Sequence, residues 1–351
     1  MLFIHGFYGI AFSNLTEIRL EEKKFAFVPQ MQLLLPNAVI DIFMEGKIIN
    51  SKIKFASKYD FIDNYIDTNL GFQYNFSSVF AGIGLSDKID FEQVYSNQSY
   101  LQRSKYYETI LGYIFSKHIE MKTSIKYENT SSASIDTLLI HDRGRNVTGN
   151  MELSHNSLDE NPTLPTGQKY AINFTRSYDV FGSEYDYTQS EIEAVNFSYP
   201  FGNNYFKTKI KIGYPVAIIK KPLTSVYFAG GYDIMRGYSL KQFYGNSLIY
   251  VQLNHHIPFM LKKAFSDNAL EIITGDITFE TCKIGEKEIF DTAENIKSSF
   301  GIGSTCYLKL FKNVNLRFNL SINQAVDSTN PIYYFTFNTF SYIINKETNG
   351  D

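Results

Sequence analysis

In Asn315-Leu316-Arg317-Phe318-Asn319-Leu320-Ser321-Ile322-Asn323 every even position is apolar and every odd one polar. Successive strand side chains point to opposite faces, so such a segment has one wholly apolar face. The pattern recurs along the chain. Phe206, Ile210, Ile212 and Tyr214 alternate with Lys207, Lys209 and Lys211; Ile119, Met121, Ile125 and Tyr127 alternate with Glu120, Lys122, Lys126 and Glu128; and Tyr170, Ile172 and Phe174 alternate with Lys169, Asn173 and Thr175. A soluble sandwich also alternates, but these segments have the length of tilted membrane-spanning strands, about 9–12 residues. Aromatic residues, 16% of the chain, gather near segment ends, as in Tyr106-Tyr107, Tyr199-Pro200-Phe201 and Tyr333-Tyr334-Phe335. Aromatic girdles mark the membrane interfaces of outer-membrane barrels.

Counted back from the C-terminus, the strands fall at 332–342, 314–323, 298–309, 268–277, 246–255, 204–213, 188–198, 168–177, 149–156, 134–141, 118–127, 105–116, 78–86, 65–75, 48–58 and 36–46. The expected fold is all-β: a transmembrane antiparallel barrel of about sixteen strands, spanning 36–351, with short turns at one end and longer loops at the other. Residues 1–35 are left as an N-terminal segment. Leu2–Phe12 reads either as a signal remnant, with Ala11-Phe12-Ser13 as a cleavage site, or as an apolar strand or plug. No stretch reaches the roughly 18–20 apolar residues of a membrane helix. The net charge of −3 speaks against nucleic acid as a partner. Cys282 and Cys306 lack a CxxC spacing; they read as two thiols or as one disulfide, not as a metal site.

One connection is long. Pro215–Gly245 holds Phe228-Ala229-Gly230-Gly231-Tyr232-Asp233-Ile234-Met235-Arg236-Gly237-Tyr238-Ser239, and long connections are usually functional. At Arg236-Gly237-Tyr238, preceded by Gly230-Gly231-Tyr232 and followed by the strand Gly245–Leu253, the chain resembles the Omp85 superfamily. These are the bacterial surface antigen (D15)-like outer-membrane barrels, BamA and TamA among them. Asn161-Pro162-Thr163-Leu164-Pro165-Thr166-Gly167 resembles the family's Pro-x-x-Gly turn, and Phe300-Gly301-Ile302-Gly303 its strand third from the end. The resemblance covers roughly 36–343. The POTRA domains that precede most family barrels have no counterpart in it, so the resemblance implies either a barrel that stands alone or a sequence that is a piece of a longer protein.

The resemblance implies that loop 215–245 folds into the lumen. Arg236 would bind the inner wall, Gly237 would allow a tight tip and Tyr238 would pack on the wall, with Gly230 and Gly231 shaping the approach. An Arg inside a barrel needs its donors met, and a carboxylate accepts two of them in a fork. The family acceptor lies in an aromatic-x-Asp-x-Gly pattern. Aligning on Gly275 puts Glu271 at the aromatic position and Ile273 at the Asp position, so this chain departs from it. Glu271 is the first expected partner of Arg236 and Asp276, of opposite strand parity, the second. An ordinary lumen-facing carboxylate is the alternative for Glu271. Gln252 stands where the family usually has a Glu.

No GxSxG, Walker A or HExxH motif is present, so no enzyme, cofactor or metal site is expected. His255 and His256 are adjacent on a strand and cannot share a metal. The resemblance implies a bacterial or organellar outer membrane, contact with its lipid, and assembly, insertion or translocation of outer-membrane or secreted client proteins, with a monomer favoured. The alternative is a passive porin-like channel; a surface adhesin is a third class.

Overall fold

The computed structural model describes residues 18–340 apart from 21–22, 36–38, 49–50, 61–64, 96–97, 135–139, 160–164, 202–203, 240–241, 266–267, 286–295 and 311–313. The leader segment read at 1–13 and the chain end after Phe340 lie outside the described residues.

The strands are β1 (Ile18–Leu20), β2 (Lys23–Leu35), β3 (Val39–Ile48), β4 (Ser51–Asp60), β5 (Tyr65–Phe76), β6 (Val79–Tyr95), β7 (Gln98–Ser116), β8 (Ile119–Ser134), β9 (Ile140–Asn156) and β10 (Gln168–Ser177). They continue with β11 (Asp186–Phe201), β12 (Asn204–Lys220), β13 (Tyr227–Ala229), β14 (Phe243–Gly245), β15 (Ser247–Phe265), β16 (Asn268–Gly285), β17 (Ile296–Leu310), β18 (Val314–Ala325) and β19 (Ile332–Phe340). From β2 onward each strand pairs antiparallel with the next, β12 passing directly to β15. β19 pairs back onto β2, which closes the ring. β13 and β14 form a separate hairpin within the β12–β15 connection.

The faces are inverted relative to a soluble protein. Glu128, Asn146, Gln252, Asp276, Glu280, Thr305 and Asn323 are buried, whereas Ile83, Leu111, Ile125, Ile172, Phe279, Ile302 and Leu320 are exposed. An apolar outer wall around a polar interior is the pattern of a membrane barrel. The alternation in 119–127, 170–174 and 316–322 is this wall seen edge-on. The connections differ between the two ends. At one end β3–β4, β5–β6, β7–β8, β11–β12 and β15–β16 are joined by two residues each and β17–β18 by three, with 157–167 the long exception. The other end holds 178–185, 286–295 and 326–331 and the connection that contains β13 and β14. Short periplasmic turns and longer external loops orient the barrel, with that second end outside.

Two expectations about strands are corrected. The ring begins at β2, inside the segment set aside as 1–35. Pro29 in β2 argues against a central strand because it donates no hydrogen bond. β2 tolerates it because its described pairing to β19 covers only Gln32–Leu35. Conversely, 134–141 is not a strand of its own. It holds the end of β8 and the start of β9, and β9 runs unbroken through 149–156. Cys282 and Cys306 are both free thiols.

Inside the wall, glycines receive cross-strand rings. Gly112 pairs with Phe80, and a Cβ on Gly112 would stand 2.0 Å from Phe80 Cζ. Gly112→Val is therefore expected to displace the Phe80 ring and cost about 1–3 kcal/mol by overpacking. The check is the temperature at which the folded barrel loses its compact mobility in a heat-modifiability gel; an unchanged midpoint would contradict the packing.

Candidate functional site

The long connection between β12 and β15 enters the lumen from the external end. It is shorter than 215–245 because β12 continues to Lys220. Two glycines turn the chain at the tip of the β13–β14 hairpin. Gly230 has φ +115° and Gly231 φ +99°, conformations that side chains disfavour. At Gly230 a Cβ would also stand 2.1 Å from Ser239 O. The tip is held by Gly230 N–H donating to Ile234 O (2.9 Å), Gly231 N–H to Tyr238 O (3.0 Å) and Tyr238 N–H to Met235 O (3.1 Å). Met235 itself takes φ +68°, an unusual conformation for a residue with a side chain. It is held there by burial: Met235 and Tyr238 pack with Tyr227, Ala229, Leu248, Tyr250, Cys282 and Ala325 in one apolar cluster.

Beside that cluster is a wholly buried carboxylate, Glu280 of β16. Its Oε1 accepts hydrogen bonds from Tyr250 Oη (2.7 Å) and Gln252 Nε2 (2.8 Å). Its Oε2 accepts from the Arg236 backbone N–H (2.6 Å) and from Ser299 Oγ (3.1 Å). β15, β16 and β17 thus each supply part of a socket, and the loop supplies the last donor. The Arg236 guanidinium does not form the expected fork. Its Nε lies 3.9 Å from Glu280 Oε1 and donates to Tyr232 O at 3.1 Å. The guanidinium sits 4.6 Å above the Tyr232 ring, a cation–π contact within the loop. Tyr232 in turn meets Tyr334 of β19 edge-on, with centroids 5.4 Å apart.

A second tether lies toward the external end. Tyr238 Oη donates to Asp327 Oδ1 at 2.7 Å, in the β18–β19 connection. Lys297 Nζ donates to the other oxygen of the same carboxylate at 2.7 Å. Gly237 lets the tip press against the wall: a Cβ there would stand 2.6 Å from Ala325 N and from Ser299 Cβ. Close approach, not a left-handed turn, is why a glycine is needed at that position.

Arg236, Gly237, Tyr238, Gly230 and Gly231 are thus brought together with Gln252, which bonds to the acceptor and not to the arginine. The two expected acceptors are not in the socket. Asp276 lies on the same inward face as Glu280 but about 13 Å along the strand. It is engaged by His256 Nδ1 (2.6 Å), Thr274 Oγ1 (3.0 Å), Thr305 Oγ1 (2.5 Å) and Asn319 Nδ2 (3.3 Å). Glu271 is nine positions from Glu280, about 30 Å of strand. It falls at a bulge, where Leu270 pairs with Leu308 and Ile272 with Tyr307. Anchoring on Gly275 misplaced the acceptor. With Cys282 in the small-residue position of aromatic-x-Asp-x-Gly, Glu280 takes the acidic one. A further signal is that Gln252 pairs directly with Glu280 across β15 and β16. His256 and His255 do face opposite ways: His256 meets Asp276 in the lumen, and His255 stacks on Phe206 with centroids 4.3 Å apart.

The Omp85 superfamily domain matches residues 36–303, more than half of the chain. The chain belongs to the Omp85 superfamily. Among solved structures, this Omp85 barrel is similar to BamA from Haemophilus ducreyi lacking POTRA domains 1–3, at TM-score 0.70 and 13% identity over 91% of this chain and 71% of that one. It is also similar to CdiB from Acinetobacter baumannii, at TM-score 0.63 and 11% identity over 92% of this chain and 60% of that one. CdiB from Escherichia coli gives TM-score 0.64 and 10% identity over 90% of this chain and 63% of that one. The chain therefore spans less than two thirds of the CdiB chains it matches. No curated protein sequence matches it. As an Omp85 barrel it is an outer-membrane protein.

Glu280→Ala would leave Tyr250, Gln252, Ser299 and the Arg236 N–H without their acceptor. A loss of about 3–5 kcal/mol is expected, as for a broken buried charge site, read as faster protease cleavage within 221–246; equal cleavage rates would show that Glu280 does not hold the loop. Asp327 adds a pH dependence. The Lys297 ammonium and the Tyr238 hydroxyl hold its carboxyl below the ordinary 3.8. A lowered folded-state value stabilises above the ordinary value and is lost as pH falls through the lowered one. Loop protection is thus expected to weaken as pH falls below about 4, and the step to vanish in Asp327→Asn.

Proposed function

We propose that this barrel acts on other outer-membrane or secreted proteins, inserting, assembling or translocating them, and performs no catalytic chemistry of its own. The observation that carries the reading is the lumen loop bound to Glu280. The loop's own backbone completes the hydrogen bonding of a buried carboxylate on the wall beside it, which holds the loop in the lumen, where a passive channel needs an open path. The thin closure of the ring supports the same reading. β19 meets β2 over Phe335↔Leu35 to Asn338↔Gln32 among the described residues, whereas β18 and β19 pair from Asn315↔Phe340 to Asn323↔Ile332. A ring with one short ladder opens there first, because each unmade pair removes backbone hydrogen bonds that must otherwise be broken.

The test is made on the protein refolded into liposomes. Leu33 and Phe337 are register partners, and directly opposite strand residues stand close enough for a disulfide. The Leu33→Cys/Phe337→Cys variant is expected to lose the acceleration of folding of an added unfolded outer-membrane protein when oxidised, and to regain it on reduction. In planar bilayers the wild type should show low, flickering conductance that rises several-fold in Glu280→Ala. Large, steady wild-type conductance, with client folding indifferent to the seam disulfide, would replace this reading with the porin-like channel.

A further inference from the structure

On the outward face of β6–β9, just beyond the apolar band, positive charge is concentrated. The strand registers set out two rows across these four strands: Asp87, Lys105, Asn129, Arg145, and Ile89, Arg103, Ser131, Arg143. The row below them toward the membrane centre is Leu85, Tyr107, Tyr127, Val147. Leu85, Tyr107, Leu111 and Ile125 are exposed on the lipid side. Arg143 and Arg145 share that side, because Gly144 between them faces the buried Tyr185 ring inside the barrel.

Four cations therefore stand directly beyond the apolar surface at the external end, and one acid, Asp87, stands in the two rows with them. Asp87 takes Arg103 at 3.2 Å and Lys105 at 2.9 Å. Arg143 has no hydrogen bond or ion pair among the described residues. Arg103, Lys105 and Arg143 share a cavity of about 420 Å³ with Asn129 and Ser131, polar groups suited to the remaining oxygens of an anion. Beside it, residues 178–182 of the β10–β11 connection lie over the outer wall, before the chain turns inward at Ser183 and Tyr185. The Tyr178 ring covers Gly149, with Cε2 3.0 Å from where a Cβ would be. Arg145 Nε donates to Gly182 O at 2.8 Å. Val180 and Phe181 stand 85% and 65% exposed, an apolar projection that would be unfavourable in water and belongs among acyl chains or glycolipid.

We propose that Arg103, Lys105, Arg143 and Arg145 form a binding site for the phosphorylated headgroup of a lipid in the external leaflet, with Val180 and Phe181 seated against its apolar part. The residues carry the two halves of an amphiphile in the right order: apolar wall, aromatic Tyr107 and Tyr127, then cations and hydroxyl or amide groups. Free phosphate would use the cations alone and leave Val180 and Phe181 unexplained. The site is independent of the client-directed reading above and needs only the barrel's place in an outer membrane.

The test is native mass spectrometry of the detergent-purified full chain titrated with lipid A, with lipid A stripped of its phosphates, and with inorganic phosphate. Wild type is expected to hold lipid A about tenfold or more tightly than the dephosphorylated form, as several cations near an anionic surface should. Arg103→Gln/Lys105→Gln/Arg143→Gln should bring the two lipids within about twofold, with folding checked by heat-modifiable gel mobility. Asp87→Asn removes the counter-charge and should strengthen the lipid A preference several-fold. It decides the matter should the triple variant fail to fold. Equal binding of both lipids by wild type, a preference that survives the triple variant, or an Asp87→Asn preference no stronger than wild type would each overturn the proposal. Displacement of lipid A by millimolar inorganic phosphate would also overturn it, by making the site one for free phosphate.

Discussion

Hydrocarbon offers no hydrogen-bond partner to a peptide group, so a chain that crosses a membrane as strands must close into a ring. The rest of the structure follows from that constraint. Each strand of the ring, β2–β12 and β15–β19, has a neighbour on both edges, and the two-residue connections at one end keep successive strands adjacent. The outer wall must be apolar and the inner wall is free to be polar, which reverses the usual relation of burial to polarity. Ring closure also creates one junction between strands far apart in sequence, β19 with β2. Within the ring, only there do the paired strands not follow one another along the chain. β2, on one side of that junction, also carries Pro29, which lies outside the described β19 ladder.

A polar interior brings a cost that the loop helps to offset. A buried carboxylate is expensive unless its oxygens are hydrogen-bonded. Glu280 receives Tyr250 and Gln252 from β15 and Ser299 from β17, and the fourth donor comes from the Arg236 backbone. Withdrawing the loop would leave Glu280 short of a donor and expose Met235 and Tyr238. Loop and wall therefore stabilise each other, and the unusual conformation of Met235 persists because its surroundings over-determine it. Further toward the periplasmic end, Asp276 is satisfied without the loop, by His256, Thr274, Thr305 and Asn319. Asp276 and Glu280 thus differ in one respect that matters: of the two, Glu280 depends on a group that can leave.

Much of this was legible in the residues themselves. Alternation over 315–323, 206–214 and 119–128 located strands and assigned their lipid and lumen faces correctly, because the side-chain period of a strand does not depend on its neighbours. The Gly230-Gly231 and Arg236-Gly237-Tyr238 segments identified the loop. The failures were also local. β2 is hard to see in the sequence because Pro29 and an unbroken Leu33-Leu34-Leu35 run hide its alternation. The segment 134–141 resembles a strand in sequence because alternation does not fix where one strand ends and the next begins within a polar stretch.

The acceptor for the loop shows where sequence stops. The register that starts at Phe265↔Asn268 would by itself set Gln252 opposite Thr281. A bulge at Phe259, where Pro258 pairs with Thr274 and Met260 with Ile273, moves the register by one and sets Gln252 opposite Glu280 instead. A one-residue slip exchanges the faces of everything beyond it. Sequence by itself determined that this chain is an apolar-walled barrel with a glycine-shaped loop, since those properties rest on periodicity and backbone freedom. Only the tertiary structure decided that Glu280 is the acceptor, that the Arg236 backbone rather than its guanidinium completes the socket, and that Asp327 holds Tyr238. Those choices depend on the register between strands, and that register is set by bulges whose positions no single strand encodes.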